Sequence, residues 1–419
     1  GDVYKRQVLV FAAGMAVLPF IHLFMKNNSY SLSYIRVLYA MWLVRTVLSY
    51  LLTYRKSLLI ADQKEYIASI TGLILNVVSY LAIILLVTWE QNYLLALGIG
   101  TVTEVVLNIW ISWYVEQKYP FLRQRRKEKS TSSLTKRIVR DLKSLFISRI
   151  SEKMLYCTDN LIISGFIGVG TVGRYANYCM ITQAISNILT ILANTIQPTV
   201  GDYFTEKNRQ RNYEILRQLT FGFFCIASVV SVGLFSLITP FVRDIWLGPS
   251  YELGWGITVF CIVVLLVRIM GLPLSLVMGV TGLFEKEKNV GASSALLNLI
   301  VSLALVKPYG MAGVLLGTLL SYLLQILYRY IIYFRDFLEM PGEALRYAQD
   351  IGEYLAVIAG EVLLMQKIVP LIYGAGGMLL FCVCFLLCIA IPLLLDLVIF
   401  GRGWRLQSIV TMVKGMRKA

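Results

Sequence analysis

The chain has 419 residues, of which 58% are hydrophobic and 15% are charged, and its mean hydropathy is +0.70. Soluble domains carry about 25% charged residues, so this composition excludes a soluble globular protein and indicates an integral membrane protein. The formal net charge of +15 suggests an acidic partner, but where the positive residues lie decides which kind.

Apolar runs long enough to cross a bilayer core of about 30 Å predict an all-α polytopic protein with about twelve transmembrane helices. The heptapeptide 1–7 resembles a translated sequencing linker and is left out of the fold prediction. The predicted spans lie near residues 8–25, 34–54, 66–88, 92–114, 146–168, 172–196, 214–243, 254–280, 290–306, 311–334, 351–372 and 376–400.

Lysine and arginine residues are concentrated in alternate loops. If the basic loop 115–145 is cytoplasmic, the loops on that side and the C-terminal tail hold 26 of these residues, and the opposite side holds five. This asymmetry follows the positive-inside rule and predicts a multi-pass protein with a cytoplasmic C-terminus. The basic run 123–129 is therefore interpreted as a topology anchor beside anionic lipid, and no nucleic-acid partner is expected.

The chain matches itself weakly at an offset near 221 residues; for example, Pro19 and Tyr30 have the spacing of Pro240 and Tyr251. Matching helices are six apart, which predicts parallel repeats with cargo at their interface. The first lobe, 8–114, has four helices and the second, 146–334, has six, so we expect two further helices before residue 8. The remaining segment, 335–419, adds two helices and a basic tail outside the repeat.

Arg45 and Arg268 lie at matching points of the two repeats, each near the middle of an apolar helix. A charge at bilayer depth costs at least ~2.5–3.5 kcal/mol, so such a residue faces a polar cavity or a charged partner. We predict that both arginines line a central substrate site, because a planar guanidinium suits phosphate oxygens. The alternative is a structural ion pair with a carboxylate.

Polar side chains recur at helical spacing along the spans 172–196 and 311–334, which predicts the lining of a hydrated cavity. Hydrogen bonding between helices is the alternative. At the start of the span 146–168, two basic residues one turn apart either receive a phosphate or anchor the helix at the headgroups. The candidate substrate-binding residues on these faces are Arg149, Lys153, Gln183, Asn187, Asn194 and Gln325.

Two acidic residues inside the predicted spans are candidates for ion or proton coupling. Glu104 is interpreted either as the counter-charge of Arg45 or as a proton carrier. Asp159 is interpreted either as the partner of a basic residue or as a site for a coupling ion, Na⁺ or H⁺. The sequence contains no catalytic triad pattern, His/Cys metal cluster or phosphate-binding loop. We therefore predict a transporter without a bound cofactor rather than an enzyme.

Five segments carry a family resemblance: 54–64, 158–164, 175–178, 245–248 and 313–318. They resemble the Wzx-type polysaccharide (O-antigen and capsule) flippases of the MATE-like superfamily. The resemblance implies fourteen helices, of which this chain would hold the third to the fourteenth. It also implies two pseudo-symmetric six-helix lobes around a central cavity, with two additional C-terminal helices.

The resemblance further implies a cargo, an undecaprenyl-diphosphate-linked oligosaccharide that crosses from the inner to the outer leaflet of a bacterial plasma membrane by alternating access. Membrane lipids, a polysaccharide polymerase and glycosyltransferases are the implied partners. Two other functions stay open on the sequence alone. A MATE-type exporter of organic cations would need an acidic cavity, and an intramembrane enzyme of cell-wall assembly would need titratable groups around an acceptor site.

Overall fold

The computed structural model describes residues 11–25, 30–49, 53–62, 64–90, 92–120, 157–204, 208–374 and 376–401. Every regular element in these ranges is helical, so the prediction of an all-α polytopic membrane protein is confirmed. By contact density the chain divides into two compact units, Gly1–Thr135 and Lys136–Ala419. Each unit is described by itself.

In the first unit, one helix packs against three others. The small buried core consists of Leu59, Ala68, Ile111 and Val115. The segment 55–64 lies between two predicted spans, yet most of it is helical, and its Leu59 is fully buried in this core. The helices are α1 (Phe11–Phe24), α2 (Leu32–Ser49), α3 (Thr53–Ala61), α4 (Glu65–Glu90) and α5 (Tyr93–Lys118), and α5 contacts α2, α3 and α4.

The second unit is organised around two neighbouring helices that pack against each other. Most of the remaining helices pack against one or the other of these two. The first, α8, also packs against α11 and α12; the second, α9, packs against α7 and α10. The helices are α6 (157–166), α7 (Val169–Tyr203), α8 (Arg209–Pro240, continued by a π-helical turn, Phe241–Trp246), α9 (Trp255–Val280), α10 (Phe284–Ile331), α11 (Pro341–Tyr373) and α12 (Met378–Phe400).

Within the described residues, eight helices are long and apolar enough to cross a membrane, compared with twelve predicted spans. The difference has identifiable causes. The predicted spans 290–306 and 311–334 both lie in α10, and α6 is described only from residue 157. Helix α1 is shorter than a full span, and α2, with Arg36 and Arg45 among its 18 residues, is not among the eight.

Helix α10 is bent into a hairpin at Gly310, whose φ of 58° and ψ of −134° are non-helical. The Ser302 hydroxyl donates a hydrogen bond to the Val314 carbonyl over 3.2 Å, which joins the two arms. A glycine at position 310 is suited to this bend because residues with a Cβ rarely adopt a positive φ. The two antiparallel arms correspond to the two spans predicted from hydropathy.

The last two helices share the core of the second unit through contacts with α8. Arg217 on α8 forms a bidentate ion pair with Asp350 on α11, at 2.6 and 2.9 Å. Further along the same interface, the rings of Phe224 and Tyr354 stack with centroids 4.4 Å apart, and Phe400 of α12 packs edge-on against both. Helices α11 and α12 are therefore integral parts of this helical packing.

The close approach of the two α10 arms requires glycine at position 313, which gives a first prediction. A Cβ there would lie 2.6 Å from the Leu305 carbonyl carbon, well inside contact distance. We expect Gly313→Ala to destabilise the protein by roughly 1–3 kcal/mol through overpacking. Thermal unfolding in detergent measures this loss, and Gly233→Ala, whose Cβ would meet no heavy atom within 4 Å, is the control. Equal unfolding temperatures for the two variants would contradict the proposed packing.

Candidate functional site

Two neighbouring cavities in the second unit share Arg268 and Tyr322 in their walls. The first has a volume of about 60 Å³ and lies among α6, α7, α9 and α10. The second, of about 220 Å³, is lined by residues of α7, α9 and α10. Both contain polar side chains in an otherwise apolar helical unit, so this is the candidate substrate site of the second unit.

Arg268 projects from α9 between these two cavities. Its guanidinium carbon lies 5.4 Å from the centre of the Tyr322 ring on α10, a cation–π contact that orients the side chain. One turn along α9, a Cβ on Gly271 would lie only 2.9 Å from Ile326, so the absence of a side chain allows α9 and α10 to approach closely. The half-buried guanidinium thus sits on a tightly packed pair of helices beside open space.

Asp159 on α6 is buried at the edge of the first cavity and is held by two side chains of α10. Its carboxylate accepts hydrogen bonds from the Thr318 hydroxyl over 2.6 Å and from the Asn298 amide over 3.4 Å. The Asn298 amide also donates to the Thr318 hydroxyl oxygen over 2.9 Å. Asn298 is 0% exposed, and among the described residues its Oδ1 has no hydrogen-bond partner. The cluster therefore offers a carboxylate, an amide oxygen and a hydroxyl in one buried place.

The polar side chains that recur at helical spacing along α7 line the cavities only in part. Gln183 lines the first cavity, and Thr190, one of the polar residues at the same helical spacing, lines the second. Asn187 and Asn194 are exposed and line neither cavity. The structure thus places two positions of this face, on either side of Asn187, at the cavities, together with Ser186, which the helical spacing did not single out.

The C-terminal arm of α10 adds Gln325 and Arg329 to the wall of the second cavity. Residues four apart on a helix share one face, so these two side chains and Tyr322 lie along the same side of α10. The wall of the second cavity therefore carries two guanidinium groups, from Arg268 and Arg329. This side of the unit is basic and rich in hydrogen-bond donors.

In the first unit, Arg45 on α2 pairs with Glu104 on α5, with 3.1 Å between Nε and Oε2. The arginine side chain is 30% exposed, and its guanidinium carbon also lies 5.2 Å from the Trp42 ring centre. A Cβ on Gly100 would lie 3.1 Å from Nη1, so this glycine leaves room for the guanidinium. Of the two interpretations of Glu104, the geometry matches the counter-charge of Arg45.

Three of the sequence-based expectations lie beyond this description. Arg149 and Lys153 are outside the described residues. Arg45 and Arg268 lie in different units, and their convergence on one central cavity stays a prediction.

Sequence analysis did not single out two buried acidic residues, Glu361 on α11 and Asp396 on α12, which are 3% and 4% exposed. A signal was available, since both are carboxylates inside strongly apolar spans. Both helices lie outside the internal repeat, from which the candidate site was predicted. Within the ranges described, no group of three or more His, Cys, Asp or Glu side chains could hold a metal ion.

Residues 7–204 match the family described as "Polysaccharide biosynthesis protein". The structure is similar to that of the lipid II flippase MurJ in an inward-closed conformation, with a TM-score of 0.64 and 16% identity, covering 96% of this chain and 83% of MurJ. The family match agrees with the predicted resemblance over residues 7–204, and the likeness to MurJ shows a shared fold. A mutant of the Vibrio cholerae MATE transporter VcmN also shares the fold, with a TM-score of 0.51 and 11% identity, covering 80% of this chain and 76% of VcmN. No curated protein sequence matches the chain significantly.

Of the two donors that bind the buried Asp159 carboxylate, the Thr318 hydroxyl is the closer, which yields a second prediction. Thr318→Val removes this donor while keeping the side-chain shape, and we expect a loss of about 1–3 kcal/mol of stability because a buried acceptor loses its partner. Thermal unfolding in detergent provides the measurement. The matched control is Thr195→Val on the exposed side of α7, where the hydroxyl donates a hydrogen bond to the Ile191 carbonyl of its own helix. If both variants unfold at the same temperature, Thr318 does not support Asp159.

Proposed function

We propose that this protein is a flippase that moves an undecaprenyl-diphosphate-linked oligosaccharide from the inner to the outer leaflet of a bacterial plasma membrane by alternating access. The observation that carries the proposal is the Arg268 guanidinium between two adjoining polar cavities in an apolar helical unit. The match of residues 7–204 to a polysaccharide biosynthesis family and the fold shared with a lipid flippase support it.

The diphosphate is the part of such a cargo that most needs the protein. A phosphate anion cannot enter hydrocarbon without compensation, because its hydration is lost there. A guanidinium offers several N–H donors in a planar fork that matches phosphate oxygens, and it stays protonated under all physiological conditions. Arg268 and Arg329 together would supply two positive charges along one cavity wall. The polar side chains Gln183, Thr190 and Gln325 would contact sugar hydroxyls, and the polyprenyl tail would remain in the bilayer.

The ion pair of the first unit suggests how its arginine would take part. Arg45 is neutralised by Glu104, so an incoming phosphate would have to replace this carboxylate as the partner of the guanidinium. Both side chains are about one-third exposed, which leaves them accessible for such an exchange. We also retain Arg149 and Lys153 as candidates for the first contact with the diphosphate, on the basis of their sequence positions alone.

For energy coupling, we propose a monovalent cation, Na⁺ or H⁺, at Asp159. The oxygen of the Asn298 amide, which has no partner among the described residues, would complete a set with the Asp159 carboxylate and the Thr318 hydroxyl. The Ser302 hydroxyl and the Val314 carbonyl, bonded to each other one turn away, would be the next oxygens available. Oxygen donors of this kind suit hard cations.

The other function classes fit this cavity less well. An exporter of organic cations needs a predominantly acidic wall, whereas Arg268 and Arg329 are the charged residues of the second cavity. In the first cavity the Asp159 carboxylate shares the wall with Arg268, so this wall is not predominantly acidic either. The proposal includes a cytoplasmic C-terminus, as the distribution of basic residues predicts, and contact with lipids, a polymerase and glycosyltransferases.

Removing the positive charge of Arg268 tests whether this residue binds the diphosphate of the cargo. We expect Arg268→Gln to lower flippase activity by roughly ten- to 100-fold, since a charge-assisted hydrogen bond contributes about 1.5–3 kcal/mol. Arg268→Lys, which keeps the charge but loses the fork, should be intermediate. Complementation of a flippase-deficient strain, normalised to membrane protein level, reports the activity. The control is Arg335→Gln, a 76% exposed residue paired with Asp336. Full activity of Arg268→Gln would refute the proposed role.

Ion binding is tested separately from transport. We expect Na⁺ or a fall in pH to raise the unfolding temperature of the purified protein, and Asp159→Asn to remove that response, because a ligand that binds only the folded state stabilises it. Titrating NaCl against KCl at constant ionic strength, and pH without Na⁺, separates the two ions. A response that survives unchanged in Asp159→Asn would place the coupling ion elsewhere.

A further inference from the structure

A second buried polar cluster lies apart from the cavities, where α8, α11 and α12 meet. The Ser228 hydroxyl of α8 donates a hydrogen bond to Glu361 Oε2 of α11 over 2.6 Å. Asp396 of α12 lies one helical turn from Phe400, whose ring packs against Phe224, one turn from Ser228, and against Tyr354, two turns from Glu361. Each of the three side chains is at least nine-tenths buried. Three different helices therefore bring two carboxylates and one hydroxyl together inside apolar spans.

The oxygens of this cluster are largely without partners. Neither carboxylate oxygen of Asp396 has a hydrogen-bond partner among the described residues, and the same is true of Glu361 Oε1. The carboxylate of Asp350, in the same α8–α11 interface, shows the contrast, because Arg217 donates two hydrogen bonds to it. Glu361 therefore lacks, at Oε1, the kind of donor that Arg217 provides to Asp350, three helical turns earlier on α11.

Two adjacent ionised carboxylates cannot persist in such surroundings. Each would lose its hydration, and each would repel the other. Carboxylates that share one site commonly hold a proton between them, because the proton removes one charge and provides the missing donor. Here a proton would provide a donor among the oxygens that lack one, while Ser228 continues to donate to Glu361 Oε2.

The groups that face this pair from each helix favour a proton over a compensating side chain. From α8 come Ser228 and Cys225, and the Cys225 thiol interacts electrostatically with both carboxylates. Helices α11 and α12 contribute Glu361 and Asp396 themselves. In the part of the chain that the structure describes, no lysine, arginine or histidine forms an ion pair with either carboxylate.

We propose that Glu361 and Asp396 form a proton-binding site that fastens α11 and α12 to α8. When the pair holds its proton, the three helices pack with the acceptors satisfied. When both carboxylates are ionised, mutual repulsion and desolvation weaken this junction. The site is separate from Asp159 and from the cavities at Arg268, and the proposal does not depend on the identity of the cargo.

Infrared spectroscopy of the full-length protein in nanodiscs tests the proposal directly, since a protonated carboxyl group has a C=O stretch that a carboxylate lacks. We expect a buried carboxylic-acid band that depends on pH and weakens as the pH rises, because deprotonation converts the carboxyl group to a carboxylate. Glu361→Gln and Asp396→Asn should each alter the band, and the double variant should lose it. Asp336→Asn, in which the carboxylate is paired with Arg335, is the control and should leave it unchanged.

Stability provides a second readout that does not require the band to be assigned. The unfolding temperature of the native protein should fall as the pH rises through the titration of the band, because ionisation places two like charges at the junction. The double amide variant should lose this part of the pH response. Two results would overturn the proposal: no titrating band that depends on these residues, or stabilisation by Na⁺ or K⁺ at constant pH that the double variant removes. The second result would assign the site to a metal cation.

Discussion

Ionisable groups inside the bilayer have to be neutralised there, and this constraint explains the arrangement of the polar residues in both units. Water cannot solvate a charge in the hydrocarbon, so each such group requires a partner, a hydrated cavity or a proton. Arg45 forms an ion pair with Glu104, and Arg217 forms one with Asp350. Asp159 accepts hydrogen bonds from two side chains of α10. These contacts lie between helices, so they also determine which helices pack together.

We propose functions for two further polar clusters of the second unit. At Arg268, the guanidinium borders open space on two sides, which suits an anion that arrives and leaves. At Glu361 and Asp396, carboxylate oxygens lack donors, which suits a proton. We propose that Arg268 binds the cargo. We propose that the cluster of Glu361 and Asp396 stabilises the packing of the last two helices on α8. The two sites are separate clusters on different faces of the second unit's helical packing.

Much of the fold could be predicted from hydropathy, because a spanning helix needs a long apolar run and leaves a clear signal. The hairpin of α10 was predicted as two spans, and Glu104 was recognised as a candidate partner of Arg45 since both are charges at bilayer depth. The partners of Asp159 could not be identified in this way. Asn298 and Thr318 are 139 and 159 residues away along the chain, and their contacts depend on how α6 and α10 pack. For the same reason, helical spacing alone did not show that Asn187 and Asn194 would lie away from the cavities.

The central claim is that guanidinium groups carry the diphosphate of a lipid-linked oligosaccharide across the bilayer. Its most direct test is translocation by the purified protein in proteoliposomes, with two cargoes that share one oligosaccharide and one polyprenyl chain. In one cargo a diphosphate joins the two parts, and in the other an uncharged linker does. The account predicts rapid translocation of the diphosphate-linked cargo only. Equal rates for both cargoes would contradict it.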